Sequence, residues 1–164
     1  MPDFRIRPLT PADILPLVGI NDAAYPAVPI TSAQEFSELV SHAELALVAE
    51  RDGEPVGFLI ALAPGRDYAS ENYRFFSARS DDFLYIDRIV LAPAARGAGL
   101  GRELYGRVFE AARAAGASEV TCEVNVEPPN PESLAFHAAL GFGEVARQST
   151  KGGNVVVTLL AAAV

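Results

Sequence analysis

Residues Ile86 to Gly101, IDRIVLAPAARGAGLG, restrict the possible folds of this chain more than any other segment: an apolar strand ends at a proline turn, and a glycine-rich loop opens a helix. Gly97, Gly99 and Gly101 carry no side chain, so backbone N–H groups there can approach an anion. The positive end of the following helix dipole points at the same place. A segment of this form is a pyrophosphate cradle; the same glycines would also serve a tight strand-to-helix turn with no ligand. The spacing is GxGxG rather than the GxGxxG of dinucleotide-binding folds, and no Gly-Lys-Ser/Thr follows, as a nucleotide P-loop requires.

The surrounding periodicity supplies the remaining elements. FRIRPLT (4–10) alternates as a strand, and Thr10-Pro11 caps and opens a helix to about residue 22. Tyr25 to Pro29 breaks it, and the capping box of Ser32 and Glu35 starts a second helix that ends near His42, a surface residue. Asp52-Gly53 joins two apolar strands, 44–51 and 54–63, as a hairpin. From Pro64 to Asp82 the pattern dissolves into a polar segment carrying Tyr68, Tyr73, Phe75 and Phe76. It reads either as an ordered loop with a helical turn folded over a pocket or as a mobile surface excursion. A strand over 83–92 precedes the glycine loop, and an amphipathic helix over about 99–115 is terminated by Gly116. A strand (118–126), a proline-rich turn, a helix (131–140) and a hairpin around Gly152-Gly153 complete the order βααβββαβαββ. A length of 164 residues suits one domain, 1–164, with its own core.

Two motifs carry a resemblance to the GNAT superfamily of N-acyltransferases. Arg96, Gly99 and Gly101 meet its acyl-CoA loop pattern Arg/Gln-x-x-Gly-x-Gly/Ala. Downstream, NPESLAFHAALGF (130–142) resembles its second signature through Asn130, Ser133, Phe136, Gly141 and Phe142. His137 stands where that family usually has tyrosine. The element order is also that of the GNAT fold, so the resemblance covers nearly the whole chain. It implies an α/β (α+β) domain with a mixed, mostly antiparallel sheet of about seven strands, four helices, and fourth and fifth strands that splay apart.

The resemblance further implies acetyl-CoA (coenzyme A) as cofactor. Its pantetheine arm would pair with the backbone of Ile89, Val90 and Leu91, satisfying groups that the splay leaves open. Its phosphates would lie on Arg96, Gly97, Ala98, Gly99, Leu100, Gly101 and Arg102, with Asn130, Ser133, Phe136 and His137 as further contacts. The implied activity is N-acetyl transfer to a primary amine of a small molecule, amino acid or peptide by direct attack. The rival is a non-catalytic acyl-CoA-binding sensor or interaction module of the same fold.

Acyl transfer needs a neutral amine. Deprotonating a lysine-like amine of pKa about 10.4 near pH 7.4 costs roughly 4 kcal/mol, and an α-amine of pKa about 7.8 only about 0.5. Asp87 and Glu123 are the candidate bases. In a regular strand Asp87 shares a face with Ile89 and Leu91, and Glu123 lies on the neighbouring strand; a bulge would upset that parity. Against these roles, Asp87 can pair with an arginine and Glu123 can point away from the slot. His137 can protonate the leaving thiolate, hold the coenzyme by a hydrogen bond, or serve as a satisfied structural histidine. The backbone N–H of Val90 or Leu91 would stabilise the carbonyl oxygen if the strand bulges there.

Composition narrows the partners. A net charge of -8 disfavours nucleic acid, while Arg88, Arg96, Arg102 and Arg107 gather positive charge around the loop. No apolar run approaches the roughly 20 residues of a membrane span, and the first residues lack a signal-peptide core, so a cytoplasmic protein off the membrane is expected. The single cysteine, Cys122, reads as a core residue, and two distant histidines with one strand cysteine suggest no metal site. Acceptor choice falls to the region around Tyr25 to Ile30, to 64–82 and to the terminal hairpin, whose apolar strand VVVTLLAA could pair across a homodimer.

Overall fold

The period-two apolar runs assemble into one sheet because each buries a face against helices, and the hairpin turns fix which runs are neighbours. The computed structural model describes residues 1–164. The strands are β1 (Phe4–Pro8), β2 (Leu45–Arg51), β3 (Glu54–Leu62), β4 (Leu84–Leu91), β5 (Glu119–Glu127), β6 (Gly143–Thr150) and β7 (Val155–Ala163), in spatial order β1-β2-β3-β4-β5-β7-β6. Every pairing is antiparallel except β4 with β5. The helices are α1 (Ile14–Ala23), α2 (Ala33–His42), α3 (Glu71–Arg79), α4 (Leu100–Ala114) and α5 (Pro131–Ala139). None is long and apolar enough to cross a membrane. The mixed, mostly antiparallel sheet of seven strands is as expected; the helices number five rather than four.

The additional helix, α3, lies in the polar 64–82 segment. Ser70 Oγ accepts the Tyr73 N–H and so caps it. Tyr73 and Phe76, three residues apart on one face, are both buried. The Tyr73 hydroxyl also donates to the Ala63 carbonyl at 2.6 Å and accepts the Arg66 N–H at 3.0 Å, which pins the approach to the helix. The segment is therefore ordered.

Two core layers sandwich the sheet. On one face α4 lays down Leu100, Leu104, Tyr105, Val108 and Ala112, spaced at helical intervals, against Leu84, Ile86, Val120, Cys122 and Leu160. On the other, Leu17, Phe36, Leu39, Tyr73 and Phe76 from α1, α2 and α3 cover Phe58, Ile60, Tyr85, Val157 and Leu159. Thr121, fully buried beside this second layer, has a hydroxyl with no hydrogen-bond partner. Replacing that hydroxyl with a methyl removes an unsatisfied polar group at nearly constant volume. Thr121→Val is therefore expected to stabilise the fold by about 1 kcal/mol, raising Tm by about 2–4 °C in a melting experiment.

Two departures from regular pairing create the site. β4 and β5 are paired only at Leu84 with Val120 and Tyr85 with Thr121; beyond these residues the strands diverge and the β5-facing backbone of β4 is open. Opposite β3, Ile60 faces Arg88 and Ala61 faces Ile86, so Asp87 is an extra residue, a β-bulge. The bulge reverses the side-chain alternation. Leu84 and Ile86 before it, and Ile89 and Leu91 after it, pack toward α4, while Arg88 and Val90 lie on the opposite face. The expectation that Asp87, Ile89 and Leu91 share a face is corrected accordingly. Pairing with β3 is continuous from Ile89 to Leu91, so the bulge is not at Val90 or Leu91 either.

Candidate functional site

The loop after β4 is built to present its backbone. A single 3-10 turn at Pro93–Ala95 carries the chain to Gly97 and Gly99, whose φ angles of 83° and 80° favour glycine, and Gly99 caps α4. The Arg96 N–H is taken by the Pro93 carbonyl, and the first helical bond runs from the Glu103 N–H to the Gly99 carbonyl. The six amides between them, residues 97 to 102, donate to no protein atom. Gly101 serves a different end: a Cβ there would lie 3.1 Å from Cζ of Phe136, so its absence lets α5 close on α4.

Together these elements line a groove of about 470 Å³. Of the expected cofactor contacts, Ile89, Val90, Leu91, Arg96, Gly97, Gly99, Leu100, Gly101, Arg102, Asn130, Ser133, Phe136 and His137 all border it. Ala98 lies just outside, with only its amide in the sequence of unpaired donors. Leu100 is a core side chain, so it too offers backbone. The Asn130 side chain accepts the Ser133 N–H and thereby starts α5. Among the arginines, Arg96 and Arg102 border the groove, and Arg107 is exposed further along α4. Arg88 is not at the loop at all: the reversed alternation places it on the opposite face of the sheet. Unpaired amides, a helix N-terminus and two guanidinium groups form a fitting donor set for a pyrophosphate.

The groove opens into a second cavity of about 350 Å³ within the splay, with Ala27, Val28, Ile89, Asn130, Ser133 and His137 common to both. Glu123, on β5, lines it, and the Tyr85 hydroxyl lies 2.8 Å from each of its carboxylate oxygens. Burial, and then the nearby Asp87, push its pKa up to about 8. Asp87 differs sharply. Its Oδ1 accepts from the Tyr68 hydroxyl at 2.5 Å, its Oδ2 accepts from Arg88 Nε at 2.7 Å, and its side chain is 5% exposed. Arg88 in turn donates through Nη1 to Asn21 Oδ1 (3.1 Å) and Thr31 Oγ1 (3.0 Å). This chain ties α1, the α1–α2 loop, β4 and the approach to α3 into one unit. Cys122, at the cavity floor, is buried, and burial pushes its thiol well above the ordinary range.

His137 has a fixed hydrogen-bonding state. Its Nδ1 lies 2.7 Å from the Ser133 carbonyl oxygen, which can only accept, so the proton is on Nδ1. Its Nε2, 2.5 Å from the Tyr105 hydroxyl, therefore accepts from it. Burial lowers the pKa, favouring neutral imidazole. Tyr105, Phe136 and Phe142 surround the ring edge-on. In this arrangement His137 has no proton directed at the cavity, the Tyr105 hydroxyl proton is donated to Nε2, and burial pushes the pKa of Tyr105 well up. Sequence reasoning missed Tyr85, Tyr105 and the inward role of Arg88, and it named Tyr68 in the 64–82 segment without its bond to Asp87. Tyr85 had a visible signal, lying next to the first residues of the strand that leads into the glycine loop, but its partner is 38 residues away.

Residues 17–142 match the model of the Acetyltransferase (GNAT) family. A glucosamine 6-phosphate N-acetyltransferase 1 of Oryza sativa subsp. japonica is 31% identical over 145 residues, covering 86% of this chain and 82% of that protein. Among solved structures, Ard1 from Thermoplasma volcanium superposes with a TM-score of 0.80 at 18% identity, covering 98% of this chain and 97% of that one. The putative acetyltransferase yncA from Salmonella typhimurium, determined with its cofactor acetyl-CoA, gives 0.71 at 21% identity over 98% and 94%.

Proposed function

The chain belongs to the acetyltransferase (GNAT) family, and from that premise we propose that it transfers the acetyl group of acetyl-CoA to a primary amine by direct attack in the slot between β4 and β5. The observation that carries this reading is Glu123, a buried carboxylate with a pKa raised to about 8 that lines the cavity into which the donor groove opens. Residues 1–164 act as a single acetyltransferase domain in this reading.

Acetyl-CoA, when bound, supplies the activated acyl group. The six unpaired amides of residues 97 to 102, with Arg96 and Arg102, hold its phosphates. The open edge of β4 from Ile89 to Leu91 offers backbone partners to the pantetheine amides. Glu123 is the general base: it takes a proton from the incoming ammonium, and the Tyr85 hydroxyl steadies the carboxylate it must become. Asp87 is a positioning residue, because both of its oxygens are committed to Tyr68 and Arg88. His137 is likewise assigned to positioning, orienting the Tyr105 hydroxyl beneath the slot.

The test is release of coenzyme thiol from acetyl-CoA by the purified protein in the presence of isoamylamine, leucinamide or glucosamine 6-phosphate, the last because of the rice relative's substrate. Amine-dependent thiol release above the amine-free rate is the expected result. Acetyl-CoA binding without amine-dependent release for any of the three would overturn it in favour of a binding module.

A further inference from the structure

Arg88 presents an unspent donor to the slot. The residue is 9% exposed and borders the cavity beside Asp87 and opposite Glu123. Its Nε is bound to Asp87, and the two N–H groups of Nη1 are bound to Asn21 and Thr31. Nη2 makes no hydrogen bond within 3.5 Å to a protein atom; the Tyr68 hydroxyl, already donated to Asp87 Oδ1, is the polar group beside the guanidinium. Thr121 Oγ1 alone is both buried and unpartnered, so Nη2 reaches the cavity surface. A guanidinium nitrogen at the cavity surface without a protein partner is met by water until a ligand oxygen takes the water's place. Three fixed bonds also hold it in one orientation, which is the state in which a donor discriminates best.

Resting on the acetyl-transfer reading above, we propose that the acceptor is an amine with a carbonyl or carboxylate on the adjacent carbon, the amine directed to Glu123 and the oxygen to Arg88 Nη2. The chemistry is that of an α-amino acid or the amino-terminal residue of a peptide. The two groups stand on opposite walls of the slot, Glu123 on β5 and Arg88 on β4, as a bifunctional ligand spanning the slot requires. Part of the remaining wall is apolar, at Val28, Pro29, Val155 and Val157, and can take an aliphatic side chain, while Glu71, Asn72 and Lys151 make another part of it polar.

Leucinamide, leucine and isoamylamine test this, since isoamylamine is the leucine skeleton without its carboxyl carbon. Their amine pKa values differ, so the decisive quantity is the ratio of kcat/KM for leucinamide to that for isoamylamine, compared between the protein and its Arg88→Lys variant. The amine's own ionisation cancels in that quotient. Arg88→Lys, which keeps the charge and loses Nη2, is expected to lower the leucinamide ratio by about tenfold or more, as loss of a charge-assisted hydrogen bond does. Equal losses for both amines overturn the proposal, because damage to the fold lowers both alike. A higher rate with leucine identifies the free amino acid as source, and with leucinamide the peptide terminus; either supports it.

A measurement without a variant covers the case in which Arg88→Lys does not fold. N-acetyl-leucinamide is expected to inhibit about tenfold more strongly than N-acetyl-isoamylamine, neither having a titratable amine. Equal inhibition overturns the proposal. Turnover of isoamylamine alone would overturn the acceptor class while leaving acetyl transfer intact; turnover of no amine would overturn the acetyl-transfer reading with it.

Discussion

Glu123→Gln lowers kcat for an alkylamine acceptor by about 10²–10⁴-fold, the contribution usual for a positioned general base, while calorimetric binding of acetyl-CoA is unchanged. The amide keeps the shape of the carboxyl group and can still accept from Tyr85, so the variant removes the proton acceptor with little disturbance of packing. The pH profile distinguishes this from general damage. With a pKa raised to about 8, Glu123 is protonated and inactive as a base at low pH, so kcat/KM rises with pH to a limb near 8. An alkylamine of pKa about 10.4 has its own limb well above that. In the variant the limb near 8 disappears and the upper one stays. Stability follows the opposite sign: because the folded pKa exceeds the ordinary 4.5, the folded state holds the proton more tightly. The contribution of this group to stability is full below about 4.5 and is lost as pH rises through about 8. The variant, neutral throughout, lacks that decline in Tm. A pH–rate profile identical in the two proteins would remove Glu123 from the mechanism.

Gly99→Glu weakens acetyl-CoA binding by about a hundredfold or more in isothermal titration. A Cβ at position 99 would meet no protein atom within 4 Å, so the substitution does not collide with the fold. It acts in two other ways. The φ of 80° is unfavourable for any L-residue, at about 1–2 kcal/mol. The new carboxylate also stands among amides that await an anion; a like charge about 6 Å away costs roughly 3 kcal/mol at an effective dielectric near 20. Gly99→Ala isolates the first effect and is expected to lose much less affinity. Equal affinity in Gly99→Glu and the unchanged protein would show that the pyrophosphate lies elsewhere.

The glycine loop was legible because every feature that defines it is local: strand, proline, three glycines and helix start within sixteen residues. The two hairpins were legible for a related reason, since Asp52-Gly53 and Gly152-Gly153 each join strands that are neighbours in sequence, whereas the place of β7 between β5 and β6 has no local signal. The helix α3 was obscured because only Tyr73 and Phe76 mark its buried face, a pair too short to establish a period. Choosing between Asp87 and Glu123 depended on the bulge. A single extra residue leaves no mark in the sequence of β4, yet it decides which side chains share a face. Arg88 was misplaced by the same cause. His137 was visible as a departure from the family pattern, but its proton is located by the Ser133 carbonyl and its state by Tyr105, 32 residues away.

The bulge at Asp87 acts on β4 as a shift of reading frame. Upstream of it the even-numbered residues, Leu84 and Ile86, face α4; downstream the odd-numbered Ile89 and Leu91 do, and Arg88 falls to the other side. On the proposed roles, one short strand serves both substrates: Ile89 to Leu91 offer backbone to the donor, Arg88 reaches the acceptor, and Ile89 borders both cavities. A change at position 88, on the proposed roles, alters acceptor recognition and leaves the backbone partners of coenzyme A in place. On those roles, acceptor preference can diverge on this scaffold while the donor is held constant.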